Sequence, residues 1–270
     1  MKKVFAAIVT YKRPEILRAC IKALLSQRTF GLGRIYIVVN SMDAATIEVI
    51  KSFDEQTTFL NYDHYDNPGP AGGFYHGLRK FLEEDYEYAW LMDDDVVVRG
   101  DCLKQLLLCT KNGEYLCPKV MTENGKELGS YGWWGVLLSK SVVERAGLPL
   151  KDLFYWTEDT EYLQHRIRRI HKGVLFRCRA AVVSHLHSRA HKRPSWYYYY
   201  VIRNTLFYRI YVLRLTWRPL TRTVYAIPKF MFRILFKEDN KIRKIKLMMY
   251  GIYHGVIGKI GKLVDPELNE

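Results

Sequence analysis

The fold is decided by the stretch Tyr88-Ala89-Trp90-Leu91-Met92-Asp93-Asp94-Asp95. Its first five residues predict a buried strand, and three carboxylates follow that strand directly. Adjacent carboxylates repel one another, and a divalent cation would neutralise them. Because Asp93 and Asp95 project to the same side of an extended chain, they are the predicted metal ligands. A solvated acidic turn is the alternative, although it gives no reason for a buried strand to lead into the acids.

The residues before this stretch alternate between strands and helices. Strands are predicted at 4–9, 34–40 and 58–62, and helices at 14–25, 44–53 and 74–84. This order is typical of a doubly wound α/β sheet, whose ligands lie beyond the carboxyl ends of the parallel strands. Asn40, the loop 66–73 and Asp93 all fall at or just after such ends. We therefore predict a ligand site at that edge of the sheet.

A glycine-rich loop, Asn67-Pro68-Gly69-Pro70-Ala71-Gly72-Gly73, precedes the third predicted helix. Glycines allow a ligand to approach the backbone closely, and a helix N-terminus favours an anion or a sugar nucleotide. The loop is neither a P-loop nor a dinucleotide-binding motif, since it lacks both Gly-Lys-Ser/Thr and G-x-G-x-x-G. A plain turn with a helix cap is the alternative explanation.

A second acidic group, Glu158-Asp159-Thr160-Glu161, begins a predicted helix over 158–171. Capping by the helix dipole explains acids at this position. Their aromatic neighbours also suit a partly desolvated pocket in which a general base is tuned.

Two further pairs could serve a site. His185 and His187 follow a strand-like segment, and one of them could donate an imidazole to a metal, although a lone histidine is more often structural. Trp133 and Trp134 could stack on sugar rings or simply fill the core.

Excess positive charge is concentrated late in the chain. The net charge is +14, and residues 191–250 hold 14 Lys or Arg against two acids. Cations recur every four residues, and the aromatic run Tyr197–Tyr200 lies nearby. The pattern is typical of a helix at an anionic membrane surface. A helical extension packed on the catalytic domain is the alternative, and the absence of a nucleic-acid-binding module disfavours nucleic acid. The cationic positions are Arg214, Arg218, Arg222, Lys229, Arg233 and Lys237.

The cysteines and apolar runs indicate a compartment. The five cysteines are odd in number and form no C-x-x-C pair, so we expect neither a disulfide framework nor a zinc knuckle, and a reducing cytosol fits better. The apolar run at 4–9 is too short for a signal peptide and is interpreted as a strand. No run reaches the ~18 apolar residues that a spanning helix needs. We expect a cytoplasmic protein, peripheral on the inner face of the cell membrane.

The motifs, taken in order over about residues 3–205, resemble those of family 2 inverting glycosyltransferases with the GT-A fold. They are Val9-Thr10-Tyr11, the glycine-rich loop, Asp93-Asp94-Asp95, Glu158-Asp159-x-Glu161-Tyr162 and His185. Trp133-Trp134 and the Tyr-rich run ending in Arg203-Asn204 are similar to bacterial galactofuranosyltransferases, with rhamnosyltransferases next. The resemblance implies a Rossmann-like nucleotide-diphospho-sugar transferase domain over 1–192. Residues 193–270 would form a basic, aromatic, helical and membrane-associating region.

The resemblance also implies a role for each motif. Asp93, Asp95 and His185 would bind Mn²⁺ or Mg²⁺, and Asp159 would be the base. Glu158 and Glu161 would help to place the acceptor, which Trp133 and Trp134 would contact. The donor would be UDP-galactofuranose or, second, dTDP-rhamnose, and the acceptor a lipid-linked glycan. Residues expected to contact the donor are Thr10, Tyr11, Arg13, Asn40, Asn67, Gly72, Gly73 and Asp94.

Two other functions fit part of the pattern. A nucleotidyltransferase also needs a metal on paired acids, but it has no need for Glu158 and Asp159 or for a membrane-binding region. A non-catalytic, basic membrane-binding protein could use the same fold as a scaffold. That protein would show no metal-dependent nucleotide binding.

Overall fold

The computed structural model describes residues 4–54, 59–129, 131–186, 192–214 and 217–268, with the backbone alone at 54 and 217–226. Within these ranges eight strands form one mixed sheet in the order β3-β2-β1-β4-β7-β6-β8-β5. The strands are β1 (Val4–Thr10), β2 (Leu32–Val39), β3 (Leu60–His64), β4 (Tyr88–Asp93), β5 (Val96–Val98), β6 (Tyr115–Thr122), β7 (Trp134–Ser139) and β8 (Leu175–His185).

Helices lie on both faces of this sheet and continue beyond it. The α-helices are α1 (Pro14–Leu25), α2 (Ala44–Asp54), α3 (Gly69–Glu83), α4 (Cys102–Cys109), α5 (Lys140–Ala146), α6 (Ser195–Phe207), α7 (Trp217–Lys237) and α8 (Lys241–Val256). Two π-helices, Thr160–Ile170 and Tyr208–Val212, complete the longer elements. The predicted α/β class with C-terminal helices is therefore confirmed.

The four strands β1 to β4 run parallel, so their carboxyl ends meet at one edge. Every residue of β1 is buried, because successive side chains enter the cores on opposite faces. Ile8 packs in the core that contains α1, and Val9 packs in the core that contains α3. The other half of the sheet departs from a purely parallel arrangement, since β7 is antiparallel to β4 and β5 is antiparallel to β8. The mixed sheet still places Asn40 and Asp93 at the predicted edge.

The start of α3 differs from the sequence prediction of 74. The helix begins at Gly69, five residues earlier, so Gly72 and Gly73 lie inside it. Pro70 suits a first helical turn, because the turn needs no N–H there. Gly69 adopts a φ of +67°, which an L side chain rarely tolerates.

The C-terminal helices pack on the protein through aromatic residues. Tyr198, Tyr199 and Tyr200 of α6 have no exposed surface. The sequence interpretation of this run as a set of membrane anchors is therefore wrong for these three side chains. They are buried because one side of α6 packs against α8 and another against Phe154, whose ring lies 4.7 Å from that of Tyr200.

A buried carboxylate joins the three C-terminal helices. Glu238 accepts hydrogen bonds from Tyr198 Oη (2.8 Å), Arg233 Nε (2.9 Å) and Lys244 Nζ (2.9 Å). Lys244 is only 1% exposed, and its ammonium is compensated by Glu238 together with Asp239, whose Oδ1 lies 2.6 Å from Lys244 Nζ. These contacts lower the pKa of Glu238 to about 2 despite its burial. The ion cluster therefore fixes α6, α7 and α8 relative to one another.

The sequence analysis expected no disulfide framework, and the described residues contain a single cysteine pair. Cys109, at the end of α4, is bonded to Cys178 on β8. The other three cysteines, Cys20, Cys102 and Cys117, are free and buried. Partners 69 residues apart leave no local spacing signal, so the sequence could not indicate this pair.

We expect Gly73→Ala to lower the free energy of unfolding by about 1–2 kcal/mol. A Cβ at Gly73 would lie 2.5 Å from Cγ1 of Val9, so α3 must move away from β1, and such overpacking costs about 1–3 kcal/mol. The higher helix propensity of alanine offsets part of this cost. Urea unfolding measures the change. Gly129→Ala is the control, because a Cβ there meets nothing within 4 Å; equal stability of both variants would contradict the expectation.

Candidate active site

One cavity of about 620 Å³ brings the two acidic groups of the sequence together. Asp93 and Asp95 line it from the end of β4, and Glu158 and Asp159 line it from the start of the first π-helix. His185, the last residue of β8, lies on the same wall. His187 lies outside the described residues. The cavity therefore joins residues that are more than 60 positions apart in the chain.

The three aspartates point in different directions. Asp93 and Asp95 face the cavity, as predicted, whereas Asp94 is fully buried. Asp94 accepts a hydrogen bond from Thr10 Oγ1 (2.7 Å) and pairs with Arg13 Nη2 (2.9 Å). Thr10 is itself only 1% exposed. The two side chains thus hold each other at the ends of neighbouring strands, and contact with a donor stays a prediction for both.

The three carboxylates of the triplet all interact with the guanidinium of Arg13. Arg13 bridges Asp94 and Asp95, and its Nη1 lies 3.0 Å from Asp95 Oδ2. Burial and the charges of Asp95 and Asp94 raise the pKa of Asp93 well above its usual range. Burial also raises the pKa of Asp94 to about 6, against the opposing effect of Arg13. A cation bound beside these carboxylates would oppose the rise in the pKa of Asp93.

This donor set fits a divalent cation. His185 Nε2 lies 3.5 Å from Asp95 Oδ1, and carboxylate oxygens with an imidazole suit Mn²⁺ or Mg²⁺. Among the described residues, no three His, Cys, Asp or Glu side chains are already grouped as a metal site. Binding would therefore require the carboxylates and the imidazole to close around the ion.

Glu158 and Asp159 are adjacent but differ in their surroundings. Glu158 is 7% exposed and its Oε2 has no hydrogen-bond partner. Burial and the neighbouring Asp159 raise the pKa of Glu158 to about 8, so this side chain is neutral at pH 7. Burial raises the pKa of Asp159 too, but its Oδ1 accepts from the backbone N–H and the hydroxyl of Thr160, which favours the charged form. Asp159 is therefore the better base of the two.

Glu161 is not among the residues that line this cavity. It is 3% exposed and forms an ion pair with Arg166, whose Nη2 lies 2.7 Å from Glu161 Oε1. Arg166 thus compensates the charge of Glu161 inside the protein. A role of Glu161 in placing the acceptor stays a prediction.

The two tryptophans both line the cavity but are not equivalent. Trp133 is 3% exposed and its ring stacks on Phe74 at 4.2 Å, so most of its surface belongs to the core. Trp134 is less buried, and its ring lies 5.3 Å from that of His185. Contact with an acceptor stays a prediction for both, with Trp134 the more accessible.

The residues predicted to contact the donor divide into three sets. Arg13 lines the first cavity, while Asn40 and Asn67 line a second cavity of about 400 Å³. Gly72 and Gly73 are buried. A Cβ added at Gly72 would lie closest to Pro68, and a Cβ added at Gly73 would lie closest to Val9. Packing of α3 on β1 therefore explains these two glycines, and contact with a donor stays a prediction for them.

The sequence profile of the family described as "Glycosyl transferase family 2" matches residues 6–144, about half of the chain. The chain belongs to glycosyltransferase family 2. Within this family it is similar to the galactofuranosyltransferase GlfT1 of Mycobacterium tuberculosis, with 31% identity over 96 residues. The match covers 35% of this chain and only 31% of GlfT1.

Solved structures of glycosyltransferases share the fold. GalNAc-T7, crystallised with UDP, GalNAc and Mn²⁺, superposes with a TM-score of 0.61 over 77% of this chain and 47% of its own, at 12% identity. TarS of S. aureus (residues 1–349) superposes with a TM-score of 0.56 over 94% of this chain and 71% of its own, at 11% identity. These likenesses establish a GT-A type of fold for this family 2 member.

A loop in this family 2 glycosyltransferase is held by a buried pair that sequence reasoning gave no role. Asn204 Nδ2 lies within hydrogen-bond distance of the carbonyl oxygens of Leu153 (2.7 Å), Tyr155 (2.6 Å) and Trp156 (3.0 Å). Arg203 donates from Nη2 to the same Leu153 oxygen (2.9 Å) and from Nε to Asn204 Oδ1 (2.8 Å). Both side chains are fully buried. We call Arg203 and Asn204 the clamp.

The clamp holds a strained backbone directly before the acids. Phe154, Trp156 and Thr157 adopt φ values of 63°, 72° and 75°. Such conformations cost about 1–3 kcal/mol each in non-glycine residues and persist only where the surroundings impose them. The Phe154 carbonyl also accepts from the Ala71 N–H (3.2 Å), so α3 contacts the same loop. In the sequence, the one indication of this arrangement is the Arg203-Asn204 pair that ends the Tyr-rich run. The strained backbone itself leaves no signal in the sequence.

We expect Asn204→Asp to reduce kcat at least about tenfold while nucleotide affinity changes little. Asp preserves the shape and the acceptor for Arg203, but it replaces the N–H donors with an oxygen that faces three carbonyl oxygens. A buried hydrogen-bonding group left unsatisfied costs about 1–3 kcal/mol, and each 1.4 kcal/mol of lost transition-state stabilisation is tenfold in rate. Steady-state kinetics and nucleotide titration separate the two effects. Thr205→Ala is the neighbouring control; unchanged kcat in Asn204→Asp would contradict a positioning role.

Proposed function

We propose that this protein transfers galactofuranose from UDP-galactofuranose to a hydroxyl of a lipid-linked cell-surface glycan, with inversion of the anomeric configuration. Rhamnose from dTDP-rhamnose is the second candidate donor. The observation that carries the proposal is the single cavity lined by Asp93 and Asp95 on one side and by Glu158 and Asp159 on the other. The similarity to GlfT1 supports the choice of sugar.

The chemistry is a single displacement. Asp159 removes the proton from the acceptor hydroxyl, and the hydroxyl oxygen forms a bond to the anomeric carbon. The bond from that carbon to the diphosphate oxygen breaks, and the nucleoside diphosphate leaves with the electron pair. Attack from the face opposite the leaving group inverts the configuration. Glu158, neutral at pH 7, donates a hydrogen bond that orients the acceptor.

Asp93, Asp95 and His185 would hold Mn²⁺ or Mg²⁺. Bound there, the cation would neutralise the negative charge that develops on the diphosphate. The same carboxylates repel a diphosphate when no cation is present, so nucleotide binding depends on the metal. Arg13, which pairs with Asp95 on the same wall, keeps that carboxylate oriented.

A panel of nucleotide sugars tests the reaction and the donor together. We expect turnover with UDP-galactofuranose in the presence of Mn²⁺, release of UDP and an inverted linkage by NMR. Preferred turnover of dTDP-rhamnose would select the second donor. Cleavage between the two phosphates instead of between sugar and phosphate would identify a nucleotidyltransferase and reject the proposal.

We expect Asp159→Asn and Glu158→Gln to have unequal effects at pH 7. Loss of a general base typically costs about 10²–10⁴ in rate, so Asp159→Asn should fall in that range. Glu158→Gln replaces a neutral carboxyl with a neutral amide, so it should retain activity within about tenfold. Initial rates with saturating donor measure both. Glu144→Gln, on the exposed face of α5, is the control; full activity of Asp159→Asn would remove it as the base.

We further propose that residues 193–270 attach the protein to the cytoplasmic face of an anionic membrane. One side of α8 exposes a stripe of apolar side chains, and the exposed Lys246 lies within this stripe. On α7, Phe232 and Phe236 are exposed and their rings lie 4.6 Å apart, beside Lys229 and Lys237. Within the described residues no helix is long and apolar enough to cross a bilayer. The side chains of Arg218 and Arg222 lie outside the described set. The exposed stripe comprises Ile242, Met249, Tyr250, Tyr253 and Val256.

We expect the full chain to bind vesicles that contain phosphatidylglycerol, and to bind them less tightly as salt is raised. Ile242→Ser combined with Tyr253→Ser removes two exposed apolar side chains, each worth about 1.5–3 kcal/mol when fully buried, so vesicle affinity should fall at least about tenfold. Vesicle co-sedimentation measures it. Leu108→Ser, which removes an exposed apolar residue from α4, is the matched control. Equal binding by both variants would contradict the assignment of this face.

A further inference from the structure

The second cavity lies where β1, β2 and β3 end. Strand-end residues form most of its wall, and Glu267, from the far end of the chain, completes it. In a doubly wound sheet this edge is where nucleotides bind. The cavity is therefore the place for the nucleoside part of the donor, and the inference below rests on the proposed function. The lining residues that matter are Lys12, Asn40, Asp43, Asp66, Asn67 and Glu267.

This cavity is rich in hydrogen-bond acceptors without partners. Asn40 is 2% exposed, and its Oδ1 has no hydrogen-bond partner. Asp43 uses Oδ1 to accept from the Thr46 N–H (3.0 Å), while its buried Oδ2 has no partner. A buried acceptor without a partner costs free energy unless a ligand supplies a donor. The ring N–H of a pyrimidine and the hydroxyls of ribose are such donors.

Glu267 is held at this cavity by a well-anchored segment. Gly261 donates from its N–H to Asp152 O (2.7 Å), Tyr200 Oη donates to Val264 O (2.7 Å), and Arg243 Nη2 donates to Leu268 O (2.6 Å). These three contacts fix the backbone on both sides of Glu267. The carboxylate is therefore placed by the fold and not by a freely moving tail.

The two oxygens of Glu267 are used unequally. Oε1 accepts from Tyr11 Oη (2.8 Å) and from Lys12 Nζ (2.7 Å). Oε2 has no hydrogen-bond partner among the described residues, and the side chain is 52% exposed. Lys12 and Tyr11 lower the pKa of Glu267, so an ionised acceptor is present at neutral pH.

We infer that Glu267 accepts a hydrogen bond from a ribose hydroxyl of the donor nucleotide, so that residues 261–268 select a ribonucleotide over its deoxy analogue. A carboxylate that accepts from ribose hydroxyls is a general solution to nucleoside recognition. A charged acceptor forms stronger hydrogen bonds than a neutral one. A site built around such a bond disfavours the analogue that lacks the hydroxyl, because the acceptor is then left unpaired. Where the bonded hydroxyl is the 2′ one, which dTDP lacks, Glu267 also favours UDP-sugars over dTDP-sugars.

Calorimetric titration of the full chain with UDP, 2′-deoxy-UDP and 3′-deoxy-UDP, each with Mn²⁺, tests this assignment. We expect one deoxy analogue to bind the wild-type protein about tenfold more weakly than UDP. In Glu267→Ala that preference should fall to about one, with UDP itself weakened by a similar factor, and Glu267→Gln should lie between. Glu48→Ala, which removes an exposed acid from α2 outside the cavity, should keep the wild-type preference.

Several outcomes would overturn the inference. They are an undiminished preference in Glu267→Ala, equal wild-type affinity for all three nucleotides, and tighter UDP binding by Glu267→Ala, which would make this carboxylate an obstruction. Thermal unfolding of Glu267→Ala checks that removal of this half-exposed side chain leaves the fold intact. If the wild-type protein binds no nucleoside diphosphate at all, the proposed function fails as well. If it binds UDP and only the preference is unaffected by the substitution, the proposed function stands and Glu267 alone loses its role.

Discussion

Repulsion between buried carboxylates is the constraint on which the active site depends. Asp93 ends β4 and Asp94 and Asp95 follow it, while Asp93 and Asp95 line the same cavity as Glu158 and Asp159. The chain manages this charge in three ways. Arg13 pairs with the two carboxylates that follow Asp93, Glu158 keeps its proton at neutral pH, and Asp93 is left with a raised pKa. Asp93 therefore has a raised pKa in a cavity beside a row of parallel strand ends, where a bound cation would stabilise its charged form.

The acids of the second group are held by elements on both sides of the composition change near residue 193. On one side, the Ala71 N–H of α3 donates a hydrogen bond to the Phe154 carbonyl. On the other side, Asn204 of α6 donates hydrogen bonds to the carbonyls of Leu153 and Tyr155. A Cβ at Gly69 would lie 2.2 Å from the Phe154 oxygen, so α3 and the loop are in direct contact. The first helix of the basic region, α6, therefore packs against the loop before Glu158. The exposed apolar and cationic side chains of this region lie on α7 and α8.

Much of the fold and of the acidic cavity could be predicted from the sequence, because the signals are local. A buried strand that runs into Asp93 shows where the sheet edge lies, and alternation of strands and helices gives the parallel half of the sheet. The sequence did not reveal two kinds of contact. Glu161 pairs with Arg166, five residues along a π-helix, a spacing that the three- or four-residue spacing of an α-helix does not predict. Asp94 accepts a hydrogen bond from Thr10, which is 84 residues away. Cys109 with Cys178, and Glu267 with Tyr11, are likewise pairs that no spacing rule connects.

The span of the clamp has a bearing on the order in which the protein matures. Asn204 and Leu153 are 51 residues apart, and the intervening chain includes all of β8. Three of the four residues 154–157 adopt positive φ values, and Asn204 from α6 contributes hydrogen bonds to the carbonyls of this turn in addition to its local ones. The helix α6 also contributes Tyr197 to the wall of the cavity. The cavity is therefore complete only once the chain beyond residue 193 has packed onto the sheet.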